Sequence, residues 1–265
     1  MNRAVLYSTC LTTLLVANFL LPVFSATQAQ TPSANKLTFA TLPTIVKATY
    51  KVYRNGILVA NVDEKFERFS SASTNTDSRD RYKITSDSRT DGAVSLLIRE
   101  QLHYISEGRI GTSGLTPDIF TSTRKSGVKH NFTARFDWDK SEIIREQERD
   151  GSLEKETFDL PAGTQDRLSS MYQFMLSSPH GQSISTHMTQ GKSAELYTYL
   201  KLGELTLTTP AGEFDTVHYA RDAKPGESKA QMWLAKSKNY LPVRIIFEDA
   251  KGTTLEQSLI ALALQ

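Results

Sequence analysis

The residues from which metal binding or proton transfer would be built are five histidines, His103, His130, His180, His187 and His218. Their spacing builds neither. There is no His-Glu-x-x-His and no His-x-His, and His180 and His187 stand seven apart across an expected turn. They read as surface or strand histidines. A Gly-x-Ser-x-Gly elbow is absent, and Gly111-Thr112-Ser113-Gly114 lacks the strand–turn–helix context such an elbow needs. No glycine-rich phosphate loop occurs. The charged run Glu142 to Arg149 alternates in sign, as a solvated strand face does. The one cysteine, Cys10, permits neither an internal disulfide nor a cysteine zinc site. The expectation is therefore no metal, no cofactor and no catalytic residue declared by a motif. A hydrolytic set that converges only in the fold stays open. Asp137, Asp166 and His130 would be the first residues to replace in testing for one.

Binding is the better-supported chemistry, because several strands carry apolar residues on both faces. Tyr197 and Tyr199 oppose Leu196, Leu200 and Leu202, and Trp233 opposes Met232 and Leu234. If one face is core, aromatic side chains on the other can line a groove for an apolar or glycan ligand. The groove candidates are Trp138, Tyr197, Tyr199 and Trp233, with Arg135 as polar anchor. The competing reading is that the helix or a second layer covers them.

The elements that must position these residues are strands. From Val46 onward the dominant period is two. Ala48, Tyr50 and Val52 share a face, and Asn55-Gly56 then separates two strand-like runs, a strong hairpin signal. Phe132, Ala134, Phe136 and Trp138 alternate with Thr133, Arg135 and Asp137, which means a sheet with one buried and one wet face. Strands are expected at about 46–54, 57–69, 81–89, 94–106, 130–138, 142–149 and 153–160. Others follow at about 182–190, 194–208, 213–221, 227–236, 242–250 and 254–263. One segment breaks the period. Leu168, Met171, Tyr172 and Met175 recur at helical intervals, predicting an amphipathic helix over about 165–176 with Thr164 as N-cap and Asp166 in its first turn. The fold expected is mainly β: a single large curved antiparallel sheet or open β-barrel of about a dozen strands, with that one helix covering or plugging it.

The chain has 265 residues, 31 Lys+Arg against 29 Asp+Glu, and 39% hydrophobic residues. A net charge of +2 argues against a dedicated nucleic-acid binder. Met1-Asn2-Arg3, the apolar run Ala4 to Phe24 and Ser25-Ala26-Thr27-Gln28-Ala29 have the three parts of a secretory signal peptide, residues 1–29. A retained membrane anchor is the alternative. A cut after Ala29 leaves 236 residues without cysteine and a net charge of +1, since Arg3 leaves and no acidic residue does. Residues 30–44 read as a flexible leader and 45–265 as one β-rich domain. An integral outer-membrane barrel is disfavoured: Ala261-Leu262-Ala263-Leu264-Gln265 lacks a terminal aromatic, and the strands lack paired aromatic girdles.

Several segments together resemble a known set. They are Tyr50 to Ile57 (YKVYRNGI), Gly114 to Asp118 (GLTPD), Phe132 to Asp137 (FTARFD), Leu160-Pro161 with Gln165 to Tyr172 (QDRLSSMY), Trp233-Leu234-Ala235, and Tyr240 to Arg244 (YLPVR). Their order is similar to the bacterial exported family 3108 of domains of unknown function, over about residues 45–263. The glycine usual after the first hairpin's valine is Ala60 here. The resemblance implies a Gram-negative periplasmic protein of β-rich, open-barrel type, and it transfers no catalytic residue. The function expected is a non-enzymatic binding protein for an apolar or cell-envelope ligand: a lipid, a glycan or an envelope-protein partner. The alternative is an envelope-polymer hydrolase.

Overall fold

Alternation of apolar and polar residues gives each strand one face to bury, and consecutive strands bury it by pairing with their chain neighbours. The computed structural model describes residues 42–70, 80–93, 100–126, 130–149, 151–177 and 181–265. The expected signal peptide, Cys10, nearly all of the leader and His180 lie outside the described residues, as does the 94–99 part of an expected strand. The first strands are β1 (Ile45–Arg54), β2 (Ile57–Ser70), β3 (Asp80–Thr90), β4 (Gln101–Gly111), β5 (Gly114–Arg124), β6 (Phe132–Asp137), β7 (Glu142–Arg149) and β8 (Ser152–Asp159). A two-residue strand β9 (Gln165–Asp166) and the helix α1 (Ser169–Ser177) follow. The chain continues as β10 (Ser183–Thr189), β11 (Glu195–Thr209), β12 (Gly212–Arg221), β13 (Lys229–Ala235), β14 (Leu241–Glu248) and β15 (Thr254–Leu264).

All fifteen described strands form one open sheet in the order β8-β7-β6-β5-β4-β3-β2-β1-β15-β14-β13-β12-β11-β10-β9. Every pairing is antiparallel except the short one of β9 with β10. The first and last strands pair with each other, so the two free edges are β8 and β9, neighbours in sequence. The Asn55-Gly56 turn is as its sequence requires, with φ of 48° and 80° at the two positions.

Helix α1 touches both β5 and β14. These strands are six places apart in the sheet, or roughly 29 Å if it were flat at about 4.8 Å per strand. A helix about 10 Å across spans that only if the sheet curls around it. Tyr172 of the helix stacks on Phe66 of β2 at 5.4 Å, and Phe174 joins Tyr199, Tyr219 and Met232 from the other half. The core is thus the inner face of the sheet with the helix inside it.

Two features differ from the sequence expectation. Strand β5 has no counterpart among the expected strands. Its burial alternates through Leu115 and Pro117, slips at Asp118-Ile119, and resumes through Phe120 and Ser122. The slip is a β-bulge where β4 and β5 change register between Glu107 and Gly108, opposite Pro117. A bulge is where a strand tolerates proline, which cannot donate to the ladder.

The helix also begins later than expected, at Ser169, and Thr164 is not its cap: the Thr164 hydroxyl donates to Pro161 O. Asp166 caps it instead. Its Oδ1 accepts the backbone N–H groups of Leu168 (2.8 Å) and Ser169 (2.9 Å), while its own N–H donates to Ser169 Oγ (2.9 Å). This is a reciprocal capping box. Asp166 Oδ2 accepts the Ser106 hydroxyl at 2.5 Å, so Tyr82 must donate to Ser106 Oγ at 3.1 Å. One carboxylate therefore starts the helix and ties it to β3 and β4. It is fully buried, and that burial holds its carboxyl above the usual range against the opposing hydrogen bonds.

At Gly108 an added Cβ would lie 2.2 Å from Thr116 O and 2.8 Å from the Tyr82 ring, whereas at Gly111 it would meet nothing within 4 Å. Urea unfolding is expected to show Gly108→Ala losing about 2 to 3 kcal/mol and Gly111→Ala nearly neutral. For Asp166, a folded pKa raised above the unfolded one means its stability contribution is full at low pH and is lost as pH rises through the folded value. Asp166→Asn keeps the cap without the titration. Thermal melts should show wild type gaining on this variant as pH is lowered from neutral toward the unfolded carboxyl's value of about 3.9; a constant difference would refute the linkage. Asp166→Ala, which leaves the N–H groups of Leu168 and Ser169 and the Ser106 hydroxyl without their acceptor, is expected to cost about 2 to 4 kcal/mol.

Candidate functional site

Three adjacent strands place a row of side chains directly opposite one another on the inner face: Tyr104 on β4, Ser122 on β5 and Phe132 on β6. A small residue between two large ones leaves a hollow that its neighbours do not fill. The result is a cavity of about 340 Å³ walled by Tyr104, Phe120 and Phe132, with Ser122 buried at its floor. Phe120 stacks on Tyr104 at 5.9 Å and meets Phe132 edge-on at 5.9 Å. Ring contacts of this kind hold the walls apart in a fixed geometry.

The rim is polar and supplied from separate parts of the chain. Arg124 ends β5, His130 precedes β6, Arg167 lies in the turn into α1, and Gln190 follows β10. Arg124, His130 and Arg167 are exposed. Gln190 is placed by a tight loop in which Thr189 Oγ1 accepts the N–H groups of Gly191 (3.0 Å) and Lys192 (3.1 Å). Gly191 is pressed so closely on the Phe132 ring that a Cβ there would come within 2.3 Å of it.

The rim's electrostatics are cationic. The Arg167 guanidinium sits over Tyr104, 5.2 Å from the ring centroid, and no carboxylate among the described residues pairs with it or with Arg124. Under the Phe132 wall, the buried Arg145 lies 4.4 Å from that ring centroid. Arg145 donates to Gln147 Oε1 at 2.5 Å and meets Glu156 at 3.3 Å, while its Nε has no partner among the described residues. Deeper along the inner face, Glu64 accepts from Tyr172 (3.2 Å) and Ser86 (3.4 Å). Burial raises its carboxyl above the usual range, partly offset by those hydrogen bonds and by the Arg167 charge. Aromatic faces beside guanidinium donors can hold a ligand that is apolar at one end and an acceptor at the other.

None of the five groove candidates is among the cavity's lining side chains. Arg135 points away from its inner-face neighbours Ala134 and Phe136, is 53% exposed, and pairs with Glu146 at 3.6 Å. Trp138 stacks on Phe136 and donates its indole N–H to Pro117 O at 2.7 Å, closing the end of the sheet at the bulge. Tyr199 is buried with the helix-facing cluster, and burial pushes its hydroxyl up to about 12. Tyr197 lies under the Arg221 guanidinium at 4.2 Å. Trp233 is buried, stacked on His218 at 4.2 Å. On β11 the tyrosines took the inner side, and Leu196, Leu200 and Leu202 remain exposed.

Nor do the three hydrolase candidates form a set. Asp166 is committed to the helix cap, and His130 stands on the cavity rim. Asp137 accepts the Lys140 backbone N–H at 3.0 Å and its ammonium at 3.1 Å, which hold its carboxyl below the usual range. The cavity residues that sequence reasoning missed are Tyr104, Phe120, Ser122, Arg124, Phe132, Arg167 and Gln190. Most of them converge across strands. The legible signal was the single small residue at Ser122, two positions from Phe120 and from Arg124, had β5 been recognised as a strand. No group of three or more metal-ligating side chains occurs among the described residues.

A family model described as "Protein of unknown function (DUF3108)" matches residues 49–259. No curated protein matches. Among solved structures, a beta-barrel-like protein of the domain of unknown function DUF1849 from Brucella abortus is similar at a TM-score of 0.49 and 11% identity, over 84% of this chain and 99% of that one. A putative exported protein with a YmcC-like fold from Bacteroides fragilis gives a TM-score of 0.35 at 10% identity, over 83% of this chain and 96% of that one.

Proposed function

The chain belongs to the family described as "Protein of unknown function (DUF3108)", and we propose that it is an exported, periplasmic, non-catalytic binding protein whose inner-face cavity holds an apolar or envelope-derived ligand. The observation that carries this reading is the cavity itself: about 340 Å³, walled by three aromatic rings, with donors at its rim. That volume falls in the range of small-ligand sites, which run from about 300 to 1,000 Å³. The N-terminal segment supports export, with a basic start, an apolar centre and small residues at Thr27 and Ala29. No helix among the described residues is long and apolar enough to cross a membrane. Asp166 and Asp137 already have structural partners, which favours binding over the envelope-polymer hydrolase alternative.

Two measurements test the two halves of this proposal. Mass spectrometry of protein recovered from the periplasm of a Gram-negative host should give a mature N-terminus at Gln30; an intact Met1 would overturn export with cleavage. Ser122→Met projects a longer apolar side chain into the cavity while leaving the strand pairing of β5 untouched. Native mass spectrometry should find a small molecule on the wild-type protein, or a rise of several degrees in Tm with envelope extract, and neither with Ser122→Met. Equal behaviour of the two proteins would sink the binding reading.

A further inference from the structure

We propose, resting on the binding reading above, that the cavity selects a single-chain anionic amphiphile, its carboxylate or phosphate head held by Arg124 and Arg167 and its chain laid against Phe120 and Phe132. The polar groups offered to a ligand decide the head. Arginine guanidinium groups only donate, and their fork geometry matches carboxylate and phosphate oxygens. Arg124 and Arg167 both reach this rim without a carboxylate partner among the described residues. Glu64 feels the Arg167 charge but does not hydrogen-bond to it. Two cations with no carboxylate ion pair, beside a low-dielectric aromatic wall, attract an anion more strongly than the same cations in open water.

The walls and the volume decide the tail. Tyr104, Phe120 and Phe132 form the aromatic wall of the cavity, and their ring faces suit alkyl or aromatic groups. A volume of about 340 Å³ is room for on the order of ten non-hydrogen atoms at the ~30 Å³ a water occupies in the liquid. One short chain or the first part of a longer one fits. A pair of acyl chains does not.

Titration calorimetry on protein from the full chain, with each probe below its micelle concentration, tests this. Dodecanoate and dodecyl phosphate are expected to bind at least tenfold more tightly than dodecyl maltoside or dodecyltrimethylammonium, with affinity falling as salt rises. The Arg124→Gln/Arg167→Gln double variant, whose altered side chains are exposed, should lose at least tenfold for both anions and leave the maltoside unchanged. Arg135→Gln, on the outer face, should match wild type. Binding that ignores the head group, or that survives the double substitution, would overturn the proposal. Inorganic phosphate binding as tightly as dodecyl phosphate would reduce the site to a free-anion site and overturn it equally. If none of these probes binds but the wild-type protein still carries a molecule that Ser122→Met loses, this inference falls and the binding reading stands. If Ser122→Met also makes no difference, both fall.

Discussion

Both oxygens of the Asp166 carboxylate are committed inside the molecule, one to the first turn of α1 and the other to Ser106 on β4. A buried carboxylate costs desolvation energy that only such hydrogen bonds offset. Here they also decide where the helix stands. Without a fixed helix, the inner face of a fifteen-stranded sheet has no partner, because a cylinder of that many strands is too wide for its own side chains to fill. Tyr172 against Phe66, and Phe174 in one buried cluster with Tyr199, Tyr219 and Met232, are the packing consequences of where Asp166 holds the chain.

The same arrangement explains how the sheet ends. Its free edges are β8 and β9. Strand β8 is exposed along nearly its whole length and carries Glu154, Lys155 and Glu156 in succession, charges that discourage another chain from adding on. Strand β9 is two residues long, and its next residues turn into the helix. One edge is therefore protected by charge and the other by brevity. The segment between them, Leu160 to Thr164, carries the chain from the sheet to its filling.

The cavity is what this filling leaves over. Around the helix the inner face is closed by large side chains. Where Ser122 stands between Tyr104 and Phe132 the row is one side chain short. The guanidinium groups nearby come from the end of β5 and the turn before α1, so the anchor that fixes the helix also fixes Arg167, the residue after Asp166. Fold stability and the chemistry of the rim thus share one local structure.

Local periodicity was enough to read the strand-dominated fold, the Asn55-Gly56 hairpin and the existence of the helix, because each depends on neighbours within a few residues. The Asp166-x-x-Ser169 capping box was also present in the sequence, although Thr164 was the more conspicuous cap. Strand β5 escaped because a bulge at Gly108 and Pro117 shifts its alternation by one, and a period of two cannot be followed through a slip. Which face of β11 turned inward was equally undecided, since tyrosines and leucines are both apolar enough to be core. Only the curl of the sheet around the helix chose the tyrosines. The cavity belongs wholly to this second kind of information. Residues from three strands and from three connecting segments meet there, and no property of any one segment encodes the distance between segments. The residues alone determined that the described part of the chain makes strands and one α-helix. Tertiary packing decided what those strands enclose, because enclosure depends on the volume left between side chains far apart in the sequence.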